Sequence, residues 1–308
     1  MEFVFFLKKN NFILLKFSID ILFMRKFILL FIFILMSGAA FADDKKQLLD
    51  KLTGKVSEFT AGLIPGDGVS EVSITVPEDN EPQIEILAVR DIVPTDYSNF
   101  FTQFSLHNQE INNRTRYVTN LGLGYRTLNS DKTMMYGTNI FWDHDLDGHH
   151  SRASIGLEAK ASMLDFTFNQ YIKTVNMKPV RGTEEQVLNG REFNLTSQMP
   201  YMPWSKINWQ NYKWENEKAA NDSKGNILSL AMLLTPTLTF EIAGDYSDNS
   251  GVDDEYTYSL NFNYPPKNNT KTLQDGAVAS LAFEKENVEK KLKEKIRRTN
   301  DMVVEVQG

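Results

Sequence analysis

The sequence predicts an all-β protein, a twelve-stranded antiparallel transmembrane β-barrel with a short N-terminal helical segment and a C-terminal helix and linker. Three observations lead to this prediction. Between residues 69 and 264, short segments alternate apolar and polar residues, and clusters of turn-forming residues separate them. Downstream of the N-terminal region, no apolar stretch approaches the roughly 20 residues that a transmembrane helix needs. The N-terminal region itself is typical of an export signal.

The composition limits the class of protein. The chain has 308 residues, a formal charge of −7 and no cysteine, which excludes the basic balance of a nucleic-acid-binding protein and a disulfide framework. The mean hydropathy is −0.35, which is low for a helical membrane protein but suits a barrel whose inward half is polar. We therefore expect no nucleic-acid partner and no cofactor.

Residues 1–42 predict a secretory signal peptide. A basic pair at 25–26 precedes an apolar run at 27–36, and small residues frame the expected cleavage site after Ala42. Met24 is the expected true start, because the residues before it carry charges among their apolar positions. Export without a helical anchor leaves the periplasm, the outer membrane or the medium as the destination, and the alternating segments favour the outer membrane.

Residues 43–68 form the expected short periplasmic segment. Their apolar residues recur at the spacing of one amphipathic helix, at Leu48, Leu49, Leu52, Val56 and Phe59.

Residues 69–266 form the expected transmembrane barrel. Single-chain bacterial barrels have an even number of strands, and the alternating segments here number twelve. The predicted strands are 69–76, 84–93, 99–107, 115–126, 134–143, 152–160, 163–173, 191–198, 205–215, 226–233, 237–246 and 255–264.

The last predicted strand shows the alternation most clearly. One face carries Tyr256, Tyr258, Leu260, Phe262 and Tyr264, and the other carries Glu255, Thr257, Ser259, Asn261 and Asn263. A membrane barrel turns such an apolar face to lipid and the polar face to its lumen. A soluble secreted β protein, which would bury the apolar face between two sheets, is the alternative fold.

The connections predict which end of the barrel lies outside the cell. Odd-numbered connections are generally longer, above all the stretch at 174–190, and several even-numbered ones are very short, such as 161–162 and 234–236. The connection at 127–133 is an exception. Because outer-membrane barrels pair short periplasmic turns with longer external loops, we expect the odd connections outside, close to lipopolysaccharide.

One stretch gathers histidine, carboxylate and hydroxyl side chains, namely Asp143, His144, Asp145, Asp147, His149, His150 and Ser151. Imidazole beside carboxylate is the chemistry of a metal site or of an acid–base pair. The first four residues are therefore weak candidates for metal ligands, and an outer-membrane barrel enzyme is an alternative function. Solvated turns account for the same residues without chemistry.

Three motifs resemble the barrel of the intimin and invasin group, the inverse autotransporters. They are NLGLGYR at 120–126, GTNIFWDHDL at 137–146 and HSRASIGLEA at 150–159. Their order and spacing make the match specific, and the similarity extends over about residues 84–265.

The resemblance implies an outer-membrane protein that acts as anchor and conduit and not as an enzyme. Family members have a periplasmic N-terminus and a twelve-stranded barrel, followed by a linker that passes through the pore and carries C-terminal adhesin domains to the cell surface. The implied partners are outer-membrane lipid and lipopolysaccharide, the barrel-assembly machinery and periplasmic chaperones. The implied roles are cell adhesion and virulence.

The motifs also indicate which residues form the pore. They are Gly122, Gly124, Arg126, Gly137, Asp143, Asp145, Arg152, Gly156 and Glu158. Glycine inside a strand permits tight curvature or close approach by another chain. Both explanations stay open for these glycines.

Residues 267–308 are the expected helical linker and terminal strand. A helix over 277–299 would align Val278, Leu281, Val288, Leu292 and Ile296, and a short apolar strand is expected at 302–306. In the family such a linker leads into the passenger, which we expect to be missing here. A truncated gene, a separately encoded passenger and a barrel acting through its own surface loops are the three explanations.

Overall fold

The computed structural model describes residues 2–3, 17–18, 65–78, 80–268, 270–275 and 278–307. The chain divides into two compact units, Met1–Gln47 and Leu48–Gly308. In the first unit, two short strands, β1 (Glu2–Phe3) and β2 (Phe17–Ser18), pair antiparallel. The expected start at Met24, the cleavage site after Ala42 and the helix expected at 48–59 lie outside the described residues.

The second unit contains a closed barrel of twelve antiparallel strands, which confirms the predicted fold class. The strands are β3 (Gly68–Pro77), β4 (Gln83–Pro94), β5 (Ser98–Glu110), β6 (Thr115–Leu128), β7 (Met134–Asp145), β8 (Ser151–Ala161), β9 (Leu164–Lys173), β12 (Asn189–Met199), β13 (Met202–Glu215), β14 (Ser223–Thr235), β15 (Leu238–Ser247) and β16 (Glu255–Tyr264). Each barrel strand pairs with its neighbours in this order, and β16 pairs with β3 to close the cylinder. Closure leaves no exposed edge, as a bilayer requires.

The two ends of the barrel differ. At one end, here called the short-turn end, the strands are joined through 95–97, 129–133, 162–163, 200–201 and 236–237. At the other, the long-loop end, they are joined through 78–82, 111–114, 146–150, 174–188, 216–222 and 248–254. The longest of these connections contains a hairpin of β10 (Lys178–Val180) and β11 (Thr183–Val187). The last strand of the chain, β17 (Val304–Gln307), pairs with β11.

The two faces of the barrel wall carry opposite kinds of side chain. Leu121, Ile140 and Leu157 point outward and are 56%, 57% and 53% exposed. Their strand neighbours Asn120 and Asn139 are buried on the inner side. An exposed belt of large apolar residues around a polar interior is the reverse of a soluble protein and suits contact with hydrocarbon. The predicted face assignment is therefore confirmed.

The tail corrects one prediction. The helix expected over 277–299 is absent, and the described helical turns are two 3-10 helices, η1 (Leu273–Asp275) and η2 (Val288–Lys293). Val278 is 76% exposed while Ile296 is 3% exposed, so the expected apolar stripe does not share one environment. After η2 the chain is extended, because side chains of the barrel wall supply hydrogen bonds that a helix would make within itself. Among the described residues, no helix has the length and apolar content to span a bilayer.

Candidate functional site

The chain after the last barrel strand passes through the barrel interior. At the short-turn end, η2 packs against Leu128 and Met135 of the wall. At the long-loop end, Met302 packs against Ile111. Between these contacts, residues 294–303, here called the lumen segment, cross the interior and bond to inward side chains of strands around the barrel.

The backbone of the lumen segment forms hydrogen bonds with wall side chains, where a helix or strand would bond to other backbone groups. Gln103 Oε1 accepts the Ile296 N–H at 2.8 Å. Gln109 accepts the N–H of Met302 at 2.8 Å and donates to its carbonyl at 3.0 Å. Further bonds to this backbone come from Asn120, Arg126, Arg152, Asn169 and Tyr171. A buried extended chain needs such partners, since an unpaired buried peptide group costs about 1–3 kcal/mol.

Charges on the lumen segment also match charges on the wall. Lys295 binds Glu71, and Arg297 binds Glu241 with 2.9 Å between Nη2 and Oε1. The carboxylate of Asp301 lies 3.0 Å from Nε2 of His107, a contact that is an ion pair when the imidazole is protonated. These three wall partners lie on β3, β15 and β5, within one arc of the barrel. Asp143 of β7 and Glu192 of β12 bind the segment from other strands, so it is held from more than one side.

Arg126 and Glu158 form a buried pair near the short-turn end. Arg126 Nε donates to Glu158 Oε2 at 2.8 Å, and both side chains are fully buried. The same guanidinium donates to the carbonyls of Leu292 at 3.2 Å and Glu294 at 2.5 Å. The Glu158 carboxylate thus neutralises the charge of Arg126, and the remaining N–H groups of that guanidinium bind the backbone of the chain that enters the barrel.

The strand glycines make room for aromatic rings. A Cβ atom on Gly122 would lie 2.4 Å from the ring of Phe141, and one on Gly124 would lie 2.4 Å from the ring of Phe101. Both rings belong to a buried cluster that includes Ile296 of the lumen segment. These glycines therefore serve the passing chain indirectly, by letting neighbouring rings lie against the wall.

Gly137 and Gly156 make room for polar wall groups. A Cβ on Gly137 would lie 2.9 Å from Oε2 of Glu158, and one on Gly156 would lie 2.5 Å from the amides of Asn139 and Asn169.

A buried charged cluster fastens the external hairpin to the barrel. Arg116 of β6 donates to both carboxylate oxygens of Glu185 in β11, at 2.7 and 2.5 Å, and to Asp145 at 3.1 Å. Nε2 of His150 lies 3.3 Å from the same Glu185 carboxylate. Because β11 also pairs with β17, the cluster links the barrel rim to the end of the through-running chain.

The cluster also shifts the acidities of its members. Burial works to raise the pKa of Glu185, but the hydrogen bonds and charge of Arg116 outweigh it and leave that pKa below its ordinary value. Burial, and then the nearby Lys178, lower the pKa of His150 in spite of Glu185.

Each of the four candidate metal ligands binds a different set of partners. Asp143 is held by Arg152 and Arg298, and Asp145 by Arg116. His144 is the strand neighbour of Asp143, and its Nδ1 lies 2.7 Å from Ser151 Oγ. Asp147 accepts the backbone N–H of Tyr117 at 2.9 Å. The described part of the chain contains no group of three or more His, Asp or Glu side chains placed to hold a metal ion.

Sequence reasoning missed several residues that contact the lumen segment. Gln103, Asn169 and Tyr171 lie on the inward faces of predicted strands. Gln109 lies beyond the predicted strand 99–107, in the part of β5 that extends to Glu110. Glu185 lies in β11, within a connection that the sequence predicts to be a long loop. Gln103 lies opposite Gly122 and Asn169 opposite Gly156, so an inward polar side chain that faces a motif glycine is a signal that finds these two residues.

The family model described as inverse autotransporter, beta-domain, matches residues 37–300. The inverse autotransporter adhesin YeeJ of Escherichia coli (strain K12) is 28% identical over 179 residues, which cover 54% of this chain and 7% of YeeJ. Invasin of Yersinia enterocolitica is 28% identical over 107 residues, which cover 34% of this chain and 12% of invasin. The chain thus spans only a small part of the length of both relatives.

A solved chain from work on the in-meso crystallization of membrane proteins has the same fold, with a TM-score of 0.62, 17% identity and coverage of 78% of this chain and 100% of that one. That likeness concerns the fold alone. The family match extends over most of the residues that build the barrel and its lumen segment. The chain therefore belongs to the inverse autotransporter β-domain family, and it is a β-barrel of the bacterial outer membrane.

Proposed function

We propose that this barrel anchors a C-terminal adhesin passenger and carries it to the cell surface, after which the lumen segment stays in the pore. The observation that carries the proposal is the continuous path of residues 288–307 from the short-turn end to the long-loop end. Wall side chains bond the backbone of this path at several levels. A wall built to hold an extended polypeptide fits a conduit for polypeptide.

The direction of transport follows from the two ends. Short turns face the periplasm in outer-membrane barrels and longer loops face outward. The chain therefore enters the pore from the periplasm, and β17 lies outside against the hairpin of β10 and β11. A passenger joined after β17, or a separately encoded one docked there, would be displayed at the surface.

The same proposal includes the surroundings of the barrel. The exposed apolar belt meets outer-membrane lipid, and the acidic external loops lie at the level of lipopolysaccharide and its divalent ions. Delivery by periplasmic chaperones and insertion by the barrel-assembly machinery complete the expected set of partners. The chain is not proposed to be an enzyme, since arginines already bind the carboxylates of Asp143 and Asp145.

An epitope tag tests the direction. One variant carries the tag after Gly308, and a matched control carries it in the turn at 129–133. Intact cells should bind antibody to the C-terminal tag, whereas the control should need permeabilisation of the outer membrane. A C-terminal tag that becomes accessible only after permeabilisation would contradict the proposal.

Adhesion needs a separate test. The C-terminus is joined to a passenger domain with a known ligand, and binding of cells to that ligand is compared with binding by cells that carry the barrel alone. Equal binding by the two strains would argue against passenger display.

A further inference from the structure

The guanidinium of Arg298 lies in the most enclosed polar position of the lumen segment. Its Nη1 and Nη2 atoms donate to the two oxygens of Asp143 at 2.9 and 2.6 Å. Both side chains are fully buried. This parallel pair of bonds matches the fork of a guanidinium, whereas an ammonium cannot reproduce it.

Aromatic rings complete the enclosure. The Arg298 guanidinium carbon lies 4.1 Å from the centre of the Phe141 ring and 5.4 Å from that of Tyr171. Nη2 also lies 3.3 Å from Ser154 Oγ. A planar cation between ring faces gains cation–π attraction that grows when water is excluded.

The wall positions these groups through its own contacts. Arg152 Nε donates to Asp143 at 2.7 Å, and Asn120 Nδ2 donates to the same carboxylate at 2.8 Å. Gly122 makes room for the ring of Phe141. The carboxylate and the ring are therefore held by wall residues as well as by the incoming arginine.

The other basic side chains of residues 293–298 are more exposed to water. The side chains of Lys293, Lys295 and Arg297 are 51%, 40% and 34% exposed, while that of Arg298 is 0% exposed. Partly exposed pairs tolerate displacement because water replaces the lost partner. A buried pair does not, since the abandoned charge stays out of water.

We infer that Asp143, Phe141 and Tyr171 form an arginine socket that fixes the register at which the exported chain comes to rest. Successive side chains of an extended segment point to opposite sides. A slip of one residue would bring Arg297 to the socket, but all the remaining side chains of the segment would then point to the opposite side. A slip of two would bring Ile296 or Asn300, neither of which carries a positive charge. This inference rests on the proposed function and names the residue that specifies the end point of export.

A disulfide reports the register. The parent is Glu184→Cys with Gln307→Cys, two residues directly opposed in β11 and β17, where an antiparallel pair meets the geometry of a disulfide. An off-register reporter combines Glu184→Cys with Glu305→Cys. The chain has no native cysteine to interfere. Yields are compared in folded protein from outer membranes, with heat-modifiable migration as the folding check.

Arg298→Gln should lower the native-register yield about tenfold and raise the off-register yield, because the buried Asp143 carboxylate then loses the charged partner that the native register provides. Arg298→Lys should also lower the native-register yield severalfold, because an ammonium keeps the charge but cannot form the two parallel hydrogen bonds of a guanidinium. Arg297→Gln, the matched comparison, should lose much less.

Unchanged native-register yields in both Arg298 variants, or an equal loss in Arg297→Gln, would overturn the socket while leaving the conduit intact. A lysine variant as good as the parent would overturn it even if the glutamine variant did not assemble. If the parent pair itself gave no disulfide, the path through the lumen would be wrong and the proposed function would fail first.

Discussion

Neutralising Asp143 tests how strongly the buried charges of the lumen hold the barrel together. Asp143→Asn keeps the size of the side chain but removes the charge that Arg152 and Arg298 share. All three side chains are fully buried, so water cannot take the place of the carboxylate. Removing one partner of a buried pair costs about 3–5 kcal/mol, and we expect the free energy of unfolding to fall by that amount.

The matched control is Asp91→Asn at the short-turn end. The Asp91 side chain is itself buried, with 1% exposed, but its partner Lys293 is 51% exposed, so the ammonium that the change leaves unpaired stays hydrated. The expected loss is about 1 kcal/mol or less.

Urea titration of both variants and the parent, refolded into lipid vesicles, measures the difference. Unfolding is followed by tryptophan fluorescence and by the loss of heat-modifiable migration. Adding Arg298→Gln to Asp143→Asn should recover part of the loss, because one of the two uncompensated charges is then gone. Equal losses for Asp143→Asn and Asp91→Asn would refute the idea that burial sets the strength of these pairs.

The remaining predictions concern the wall and the external hairpin. Ile140→Lys places a charge on the lipid face and should reduce the free energy of unfolding in vesicles by about 2–4 kcal/mol near mid-bilayer; a loss below about 0.5 kcal/mol would contradict the face assignment. Gly124→Val should displace the ring of Phe101 and cost about 1–3 kcal/mol by overpacking, which the same titration measures. The folded pKa of Glu185 lies below its ordinary value, so its contribution is complete above the ordinary carboxyl pKa and is lost as the pH falls through the folded pKa. The protection of β11 amides against hydrogen exchange, after correction for the intrinsic pH dependence of exchange, should therefore fall in acid, and Glu185→Gln should make that protection less dependent on pH. An unchanged protection profile would contradict this.

The family match and the lumen contacts give the motif residues a physical meaning. Arg126 and Arg152 each bind a wall carboxylate and a backbone carbonyl of the tail. Each therefore needs a buried acid, Glu158 or Asp143, in order to be buried itself. Among the charged residues of the motifs, Arg126, Asp143 and Arg152 contact the chain that lies in the pore.

The strands could be predicted because their signal is local. Alternation along a strand reports which side chains meet lipid and which meet the lumen, and the predicted and observed boundaries agree within three residues even where they differ most, as at Ser223. The closed barrel follows, since a bilayer leaves no partner for an open sheet edge.

The tail was predicted less well for an equally physical reason. Spacing at 277–299 is compatible with a helix, but the extended form is stabilised by side chains far away in the sequence, such as Gln103 for Ile296. The hairpin at 178–187 is local, with a two-residue turn at 181–182, whereas its pairing with β17 at 304–307 depends on residues far away in the chain. Neither partner is visible to a window of neighbouring residues.

The amino-acid sequence by itself determined the barrel, its apolar outer surface, its polar interior and the motif residues that line it, because each depends on the order of side chains along one strand. Only the tertiary structure decided what fills the interior and where each charge finds its partner. Arg298 and Asp143 are far apart in the chain, and their pairing depends on a closed cylinder that surrounds the extended segment.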